Sequence, residues 1–207
     1  MMLQINHQVQ LNGNKKTMTK IYVVDNGGQW THREWRVLRD LDVDTKIIPN
    51  TTIFNDIQNE GVQGLILSGG APRIGLEGTL GNTDEILEKS DFPIMGICAG
   101  HQYMARFFGG EAKPSKIPEF GKIELSILKD DEIFEDVAKK SIVWESHNDE
   151  VTKLPECFIC LAESENCPVQ VMRHKNKPFY GFQFHPEVEH TEHGEQIFKN
   201  FVRICEK

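Results

Sequence analysis

The chain has 207 residues and no apolar run that approaches the roughly 18 residues a membrane-spanning helix requires. It also lacks any cluster of lysine and arginine, and no stretch interleaves aromatic with basic residues. Basic side chains number 23 against 31 acidic ones, a formal charge of −8. That balance excludes a surface built to neutralise nucleic-acid phosphates. The first 16 residues are polar and contain no apolar signal-peptide core, so the expected location is the cytoplasm. Cysteines are few and odd in number: Cys98, Cys157, Cys160, Cys167 and Cys205. In a cytosolic chain this excludes a disulfide framework and points to reduced thiols. Cys157-x-x-Cys160 has no second paired element to complete a tetrahedral zinc set, and it lies in an apolar, strand-like run. No metal site is expected; the pair reads as small packing groups in a sheet.

What is present suits one α/β domain. Hydrophobic residues make up 39% and charged residues 26%, ordinary values for a globular protein with an ample core. Residues 1–17, rich in Gln, Asn and Lys, read as a weakly ordered extension. Met18 is the expected natural start and 18–207 the functional domain. Short β-rich runs at Ile21–Asp25, Thr45–Ile48, Gly64–Ser68 and Pro93–Ile97 alternate with helical patterns at Trp30–Leu41, Asn55–Glu60, Asn82–Lys89 and Cys98–Phe108. This alternation predicts an open, mostly parallel sheet flanked by helices, with sites at the strand carboxyl ends. After Gly109-Gly110 the texture changes. Strand-like runs at Lys122–Leu128, Ile142–Glu145, Phe158–Ala162, Val169–Arg173 and Phe179–Phe184 predict a mixed or antiparallel extension of the sheet. A last helix over Glu192–Cys205 carries Ile197, Phe198, Phe201 and Ile204 at helical spacing.

The most informative segment is Pro93-Ile94-Met95-Gly96-Ile97-Cys98-Ala99-Gly100-His101-Gln102. An apolar strand runs into Gly-x-Cys-x-Gly, and a helix follows at once. This is the cysteine form of a nucleophile elbow, in which flanking glycines leave room for a strained turn. The first turn of a helix offers free N–H groups and a positive dipole end, which favour thiolate over thiol. Alone, the segment allows a protease, a hydrolase, a redox sensor, or a structural cysteine on a tight turn. A cysteine nucleophile needs a base and a group that orients the base. His185 in Phe182-Gln183-Phe184-His185-Pro186-Glu187 lies just past a strand, and Glu187 can turn back to its imidazole. On its own His-Pro-Glu is an ordinary turn.

Together, Gly-Ile-Cys98-Ala-Gly-His-Gln and His185-Pro186-Glu187 resemble the triad-type, class I glutamine amidotransferases, and the resemblance runs from about Lys20 to the C-terminus. It implies a flavodoxin-like fold and hydrolysis of L-glutamine through a γ-glutamyl thioester, with release of ammonia. The implied roles are Cys98 as nucleophile, His185 as general base and acid, and Glu187 as orienting carboxylate. The oxyanion donors it implies are the backbone N–H groups of Ala99 and of Gly70, in Ser68-Gly69-Gly70. Gln102, Asn148 and Asp149 fall where the family contacts substrate glutamine.

Within the family, Asp25-Asn26-Gly27-Gly28-Gln29, Ser146-His147-Asn148-Asp149-Glu150-Val151 and His185-Pro186-Glu187-Val188 are most similar to the GMP synthase glutaminases. The chain ends at Lys207 without an ATP-pyrophosphatase domain, which implies that an XMP-binding partner is a separate polypeptide. ATP and magnesium are expected on that partner, and no cofactor in this chain. The competing readings are a γ-glutamyl hydrolase, the glutaminase component of another class I amidotransferase, or a non-catalytic relative. Two departures stand out: Ala71 precedes Pro72 where the family reads Ser-Gly-Gly-Pro, and Ala99 replaces a bulkier residue. The 71–81 loop is expected to be mobile, and either that loop or an acidic face is expected to offer the docking surface.

Several features read blandly. Gly70-x-x-x-x-Gly75 is followed by Leu76 where a phosphate loop needs Lys, and Gly27-Gly28 reads as a tight turn. His190 and His193 read as solvated, His101 as structural, and Trp30, Trp35 and Trp144 as core or interface anchors.

Overall fold

A computed structural model describes residues 18–207. The extension expected over residues 1–17 lies outside the described residues. Strands β1 (Ile21–Asn26), β2 (Ile47–Pro49), β3 (Gly64–Gly70) and β4 (Ile94–Ile97) alternate with helices α1 (Thr31–Asp40), α2 (Phe54–Asn59), α3 (Thr83–Lys89) and α4 (Ala99–Phe107). Then come β5 (Glu111–Ile127), β6 (Lys140–Lys153), β7 (Phe158–Glu163), β8 (Val171–His174), β9 (Phe179–Phe182) and α5 (Gly194–Cys205). The strands form one sheet in the order β2-β1-β3-β4-β9-β8-β7-β5-β6. The first five in that order pair in parallel, and the pairs from β9 onward are antiparallel. The expected parallel core with an antiparallel extension is what forms.

Strand periodicity explains how the sheet is clad. In β1, Ile21 and Val23 face one apolar cluster with Leu38 of α1 and Phe198 and Phe201 of α5. Tyr22 and Val24 face the other, with Phe54 and Ile57 of α2, Ile86 and Leu87 of α3, and Met104 of α4. All four apolar positions read from the last helix are buried.

The main difference from expectation is the β5–β6 ribbon. Lys122–Leu128 and Ile142–Glu145 are fragments of strands 17 and 14 residues long. The N-terminal half of β5 contains Pro114 and Pro118 and is largely exposed, so it carries no apolar alternation. Its pairing slips between Pro114 and Glu119, an irregularity that accommodates proline in a ladder. The ribbon carries Ser146–Asp149 toward the carboxyl ends of the parallel strands.

Candidate active site

Cys98 lies between β4 and α4 with φ 49° and ψ −102°, a positive-φ conformation that costs a non-glycine residue on the order of 1–3 kcal/mol. Two backbone hydrogen bonds hold it: Cys98 N–H donates to Phe182 O of β9 at 2.7 Å, and Gln102 N–H donates to Cys98 O at 3.0 Å. The flanking glycines are required by packing. A Cβ on Gly96 would lie 2.8 Å from the Gly100 carbonyl carbon, and one on Gly100 would lie 2.3 Å from Leu67 O. Helix α4 therefore sits directly on β3 and β4, and the sulfur is presented at the sheet's edge.

His185 follows β9, the strand next to β4, so sheet order alone brings it beside Cys98. Its backbone N–H donates to Trp144 O of β6 at 3.0 Å, and Thr191 Oγ1 donates to its carbonyl at 2.7 Å. The side chain is buried, and Nδ1–H donates to Glu187 Oε1 at 2.7 Å. That bond directs the second ring nitrogen toward Cys98, whose sulfur shares a hydrogen bond with the imidazole. Burial alone would lower the His185 pKa. The Glu187 carboxylate and the hydrogen bonds to Cys98 and Glu187 outweigh it and hold the imidazole well above its ordinary value. The pair is thus arranged to keep an imidazolium beside the sulfur.

A cavity of about 300 Å³ opens over this pair, walled by the Gly27–Trp30 turn, Thr31, Glu34, Gly69–Ala71 and Ser146. Gly70 lines it, and Ala99 follows Cys98 as the first residue of α4. The Gly27–Gly28 turn is close-packed: a Cβ on Gly28 would lie 2.5 Å from Gly69 O. Asn26 ties β1 to β3, its N–H donating to Ser68 Oγ at 3.0 Å and its amide to Ser68 O at 2.9 Å.

The three glutamine-contact candidates stand elsewhere than on the cavity wall. The Gln102 amide donates to Asp149 O at 2.6 Å and to Gln183 Oε1 at 3.0 Å. Asp149 is buried and accepts from Arg73 Nε at 2.9 Å and from Gly75 N–H at 3.0 Å. Burial works against its charge, but these donors hold its carboxyl below the ordinary value. Asn148 is exposed on β6. The segment expected as a mobile loop is accordingly tied down: Arg73 to Asp149, and Arg106 of α4 to the carbonyls of Ile74 and Gly78. Ile74 and Leu80 anchor it in the core.

Three residues of the site escaped sequence reasoning. Gln183 relays the contacts of Gln102 onward, its amide donating to Cys98 Sγ at 3.7 Å. It sits two residues before His185 in the same motif, which was the available signal. Trp30, read as an anchor, packs edge-on against His185 with ring centroids 4.4 Å apart. Glu34 is 1% exposed in the cavity wall, and the helical pattern of α1 gave no hint of a buried acid.

A second buried polar cluster lies beneath β6. His147 Nε2 stands 3.3 Å from Glu119 Oε2 and 3.6 Å from Glu145 Oε2. Burial would lower His147, but these carboxylates raise it above its ordinary value. Among the described residues, Glu119, His147 and Cys167 are the group whose ligand atoms lie close enough together to consider a metal. The Glu119 oxygens are already taken by Ser164 Oγ at 2.8 and 3.0 Å and by the Gln170 amide at 2.9 Å, and burial pushes the Cys167 thiol up. The chemistry is that of an internal ion-pair network.

A strained cysteine elbow, a buried imidazole from the end of the neighbouring strand and a glycine turn facing both define a class. The model of the family "Glutamine amidotransferase class-I" matches residues 22–205, and the chain belongs to that family. It is 51% identical over 189 residues to the glutamine-hydrolyzing GMP synthase subunit of Thermoplasma acidophilum, covering 91% of this chain and 94% of that one. The subunit of the same name from Pyrococcus abyssi is 51% identical over 188 residues, covering 89% and 98%. The crystal structure of a GMP synthase subunit from Thermoplasma acidophilum superposes with a TM-score of 0.86 at 50% identity, over 91% of this chain and 94% of that one. A Thermotoga maritima glutamine amidotransferase shares the fold, with a TM-score of 0.69 at 18% identity over 89% and 81%.

Proposed function

We propose that this chain is the glutaminase subunit of a two-subunit GMP synthase. In this reading it hydrolyses L-glutamine and passes ammonia to a separate ATP-pyrophosphatase subunit that converts XMP to GMP. The observation that carries it is the preformed Cys98–His185–Glu187 constellation in a chain about half identical to glutamine-hydrolyzing GMP synthase subunits. ATP and magnesium belong on the partner, and the complex works in the cytoplasm. No described helix is long and apolar enough to cross a membrane.

The Cys98 thiolate attacks the side-chain amide carbon of glutamine. The C=O π bond opens, and the negative charge collects on oxygen near the Gly70 and Ala99 backbone N–H groups, the proposed oxyanion donors. The His185 imidazolium gives its proton to the amide nitrogen, the C–N bond breaks, and ammonia leaves with a thioester behind it. His185, now neutral, takes a proton from water, which attacks the thioester carbon. The C–S bond breaks, glutamate departs, and the thiolate–imidazolium pair is restored. Glu187 keeps its carboxylate on Nδ1 throughout and stabilises the imidazolium at both stages. In this scheme Gln183 steadies the sulfur, while Gln102 and Asp149 organise the cavity floor and loop. Any contact of Gln102, Asn148 or Asp149 with glutamine belongs to a closed, substrate-bound arrangement.

Cys98→Ala tests the proposal when the chain is combined with an XMP-dependent synthetase subunit. Glutamine-driven GMP formation should fall to background, while added ammonia still supports it. Glutamine-driven synthesis that survives the substitution overturns the mechanism. Glutamine hydrolysis with no GMP formed on mixing overturns the assignment to this synthase.

A further inference from the structure

Two buried carboxyl groups flank the catalytic imidazole, and the triad uses only one of them. Glu187 Oε1 is bonded to His185, but its Oε2 is buried without a hydrogen-bond partner among the described residues. Glu34, on α1, is likewise buried with Oε2 unpartnered, while the Gly69 backbone N–H satisfies its carboxyl from the other side. The helix explains their meeting. Trp30 immediately precedes α1, and its carbonyl accepts from Glu34 N–H one turn on at 3.2 Å, while the Trp30 ring lies against His185. Glu34 lies one turn beyond Trp30 and lines the same cavity as His185. Arg33, Arg36 and Val37 of the same helix share a cleft with Pro186, Glu187 and Val188.

Charge decides the state of this acid. The groups that face Glu34 are Glu187, His185 and, more distantly, Asp25. The His185 ring already answers the Cys98 sulfur on one side and the Glu187 carboxyl on the other. A further buried anion would have no cation left to pair with, and an unpaired buried charge is far more costly than a neutral acid. Burial first, and then the Glu187 charge, push the Glu34 carboxyl well above the ordinary carboxylate range. A neutral carboxyl has one O–H to donate, and Glu187 Oε2, on the carboxyl that holds the same imidazole, is a buried acceptor with no donor among the described residues.

We propose that Glu34 is a protonated carboxylic acid whose O–H donates to Glu187 Oε2, making it a positioning residue that extends the relay to Cys98–His185–Glu187–Glu34. The inference rests on the reading of His185 and Glu187 as base and orienter. Glu34 touches neither sulfur nor substrate in this role; it fixes the second oxygen of the orienting carboxylate so that the first stays on Nδ1.

The test compares Glu34→Gln, which keeps an N–H donor, with Glu34→Leu, which keeps volume but no donor. Glutamine hydrolysis is followed in the presence of the synthetase subunit. Glu34→Leu should lower kcat about tenfold or more with KM little changed, and Glu34→Gln should stay within about threefold, in line with the effect of removing groups that orient catalytic side chains. Equal losses in both variants, full activity in Glu34→Leu, or a change confined to KM overturns the proposal. Two measurements need no glutamine turnover. The infrared carbonyl band of a protonated carboxyl should appear in the difference between wild type and Glu34→Gln at neutral pH, and its absence refutes the neutral acid. Alkylation of Cys98 by iodoacetamide, read by peptide mass spectrometry, should slow in Glu34→Leu and not in Glu34→Gln. If wild type forms no GMP from glutamine, the functional assignment fails, while the band and the alkylation rates still decide the role of Glu34.

Discussion

Replacing Glu145 with glutamine should flatten the loss of stability that the wild type suffers on the alkaline side. Glu145 is wholly buried on β6, and the groups that favour its charge, His147, His185 and the Gln170 side chain, do not offset that burial. The nearest cation is His147, at 3.6 Å, and Glu119 competes for the same imidazole from 3.3 Å. Burial, reinforced by Glu119 and opposed by His147, lifts the Glu145 pKa from 4.5 to about 8. Because the folded-state pKa lies above the unfolded one, the folded protein binds the proton more tightly. Its contribution is complete below about pH 4.5 and is lost as pH rises through about 8. At about 1.4 kcal/mol per pH unit, this group alone removes about 3 kcal/mol between about pH 5.5 and pH 8. For a chain of this size that corresponds to roughly 6–12 °C in Tm. His147 shifts in the same sense and loses part of its support in the variant, which adds to the flattening. His101, held near pKa 3 by burial, behaves alike in both proteins and cancels. Thermal unfolding of wild type and Glu145→Gln across this range reads the difference directly. Parallel declines in the two proteins would refute the buried-acid argument.

Two further substitutions probe the scaffold of the site. Gly100→Ala places a Cβ 2.3 Å from Leu67 O and 2.9 Å from Leu67 Cβ, so α4 must lift from β3. It should cost on the order of 1–3 kcal/mol in denaturant unfolding, and lower kcat, because the elbow is carried on that helix. Arg73→Ala leaves the buried Asp149 carboxylate with only the Gly75 N–H of its two loop donors. Since Arg73 is nearly half exposed, the expected loss is about 1 kcal/mol. Proteolytic cleavage within 71–81 should become faster, and a cycle with Asp149→Asn should show the two residues coupled.

The parallel half of the fold was legible because its central strands are buried on both faces. Ile21–Val24, Leu65–Leu67 and Ile94–Ile97 are apolar runs bounded by turn residues, the pattern of strands buried on both faces. The β5–β6 ribbon was half legible at best. Its outer part is stabilised by pairing rather than by a core, so Glu111–Gly121 shows proline and charge where a strand signal would be apolar alternation. The same distinction runs through the site. Cys98, His185 and Glu187 lie in short motifs whose spacing is set by one turn each, and local sequence records such constraints. Glu34, Gln183 and Trp30 are placed by how α1, β9 and β6 converge.

That convergence changes what the elbow is. The sulfur is held by a strained turn, but its chemistry is set by three layers of support drawn from different elements. Gln183 on one side is fixed by Gln102 and, through it, by the ribbon at Asp149. Asp149 in turn fastens the 71–81 loop that follows the Gly69–Gly70 turn. Movement of that loop is therefore mechanically linked to the sulfur through two amide side chains and one carbonyl. On the opposite side, Trp30 at the start of α1 supplies the ring against His185, and Glu34 of α1 a buried acid in the same cavity wall. Both α1 and the loop thus bear on His185 and Cys98 through packed and hydrogen-bonded side chains from outside the cavity.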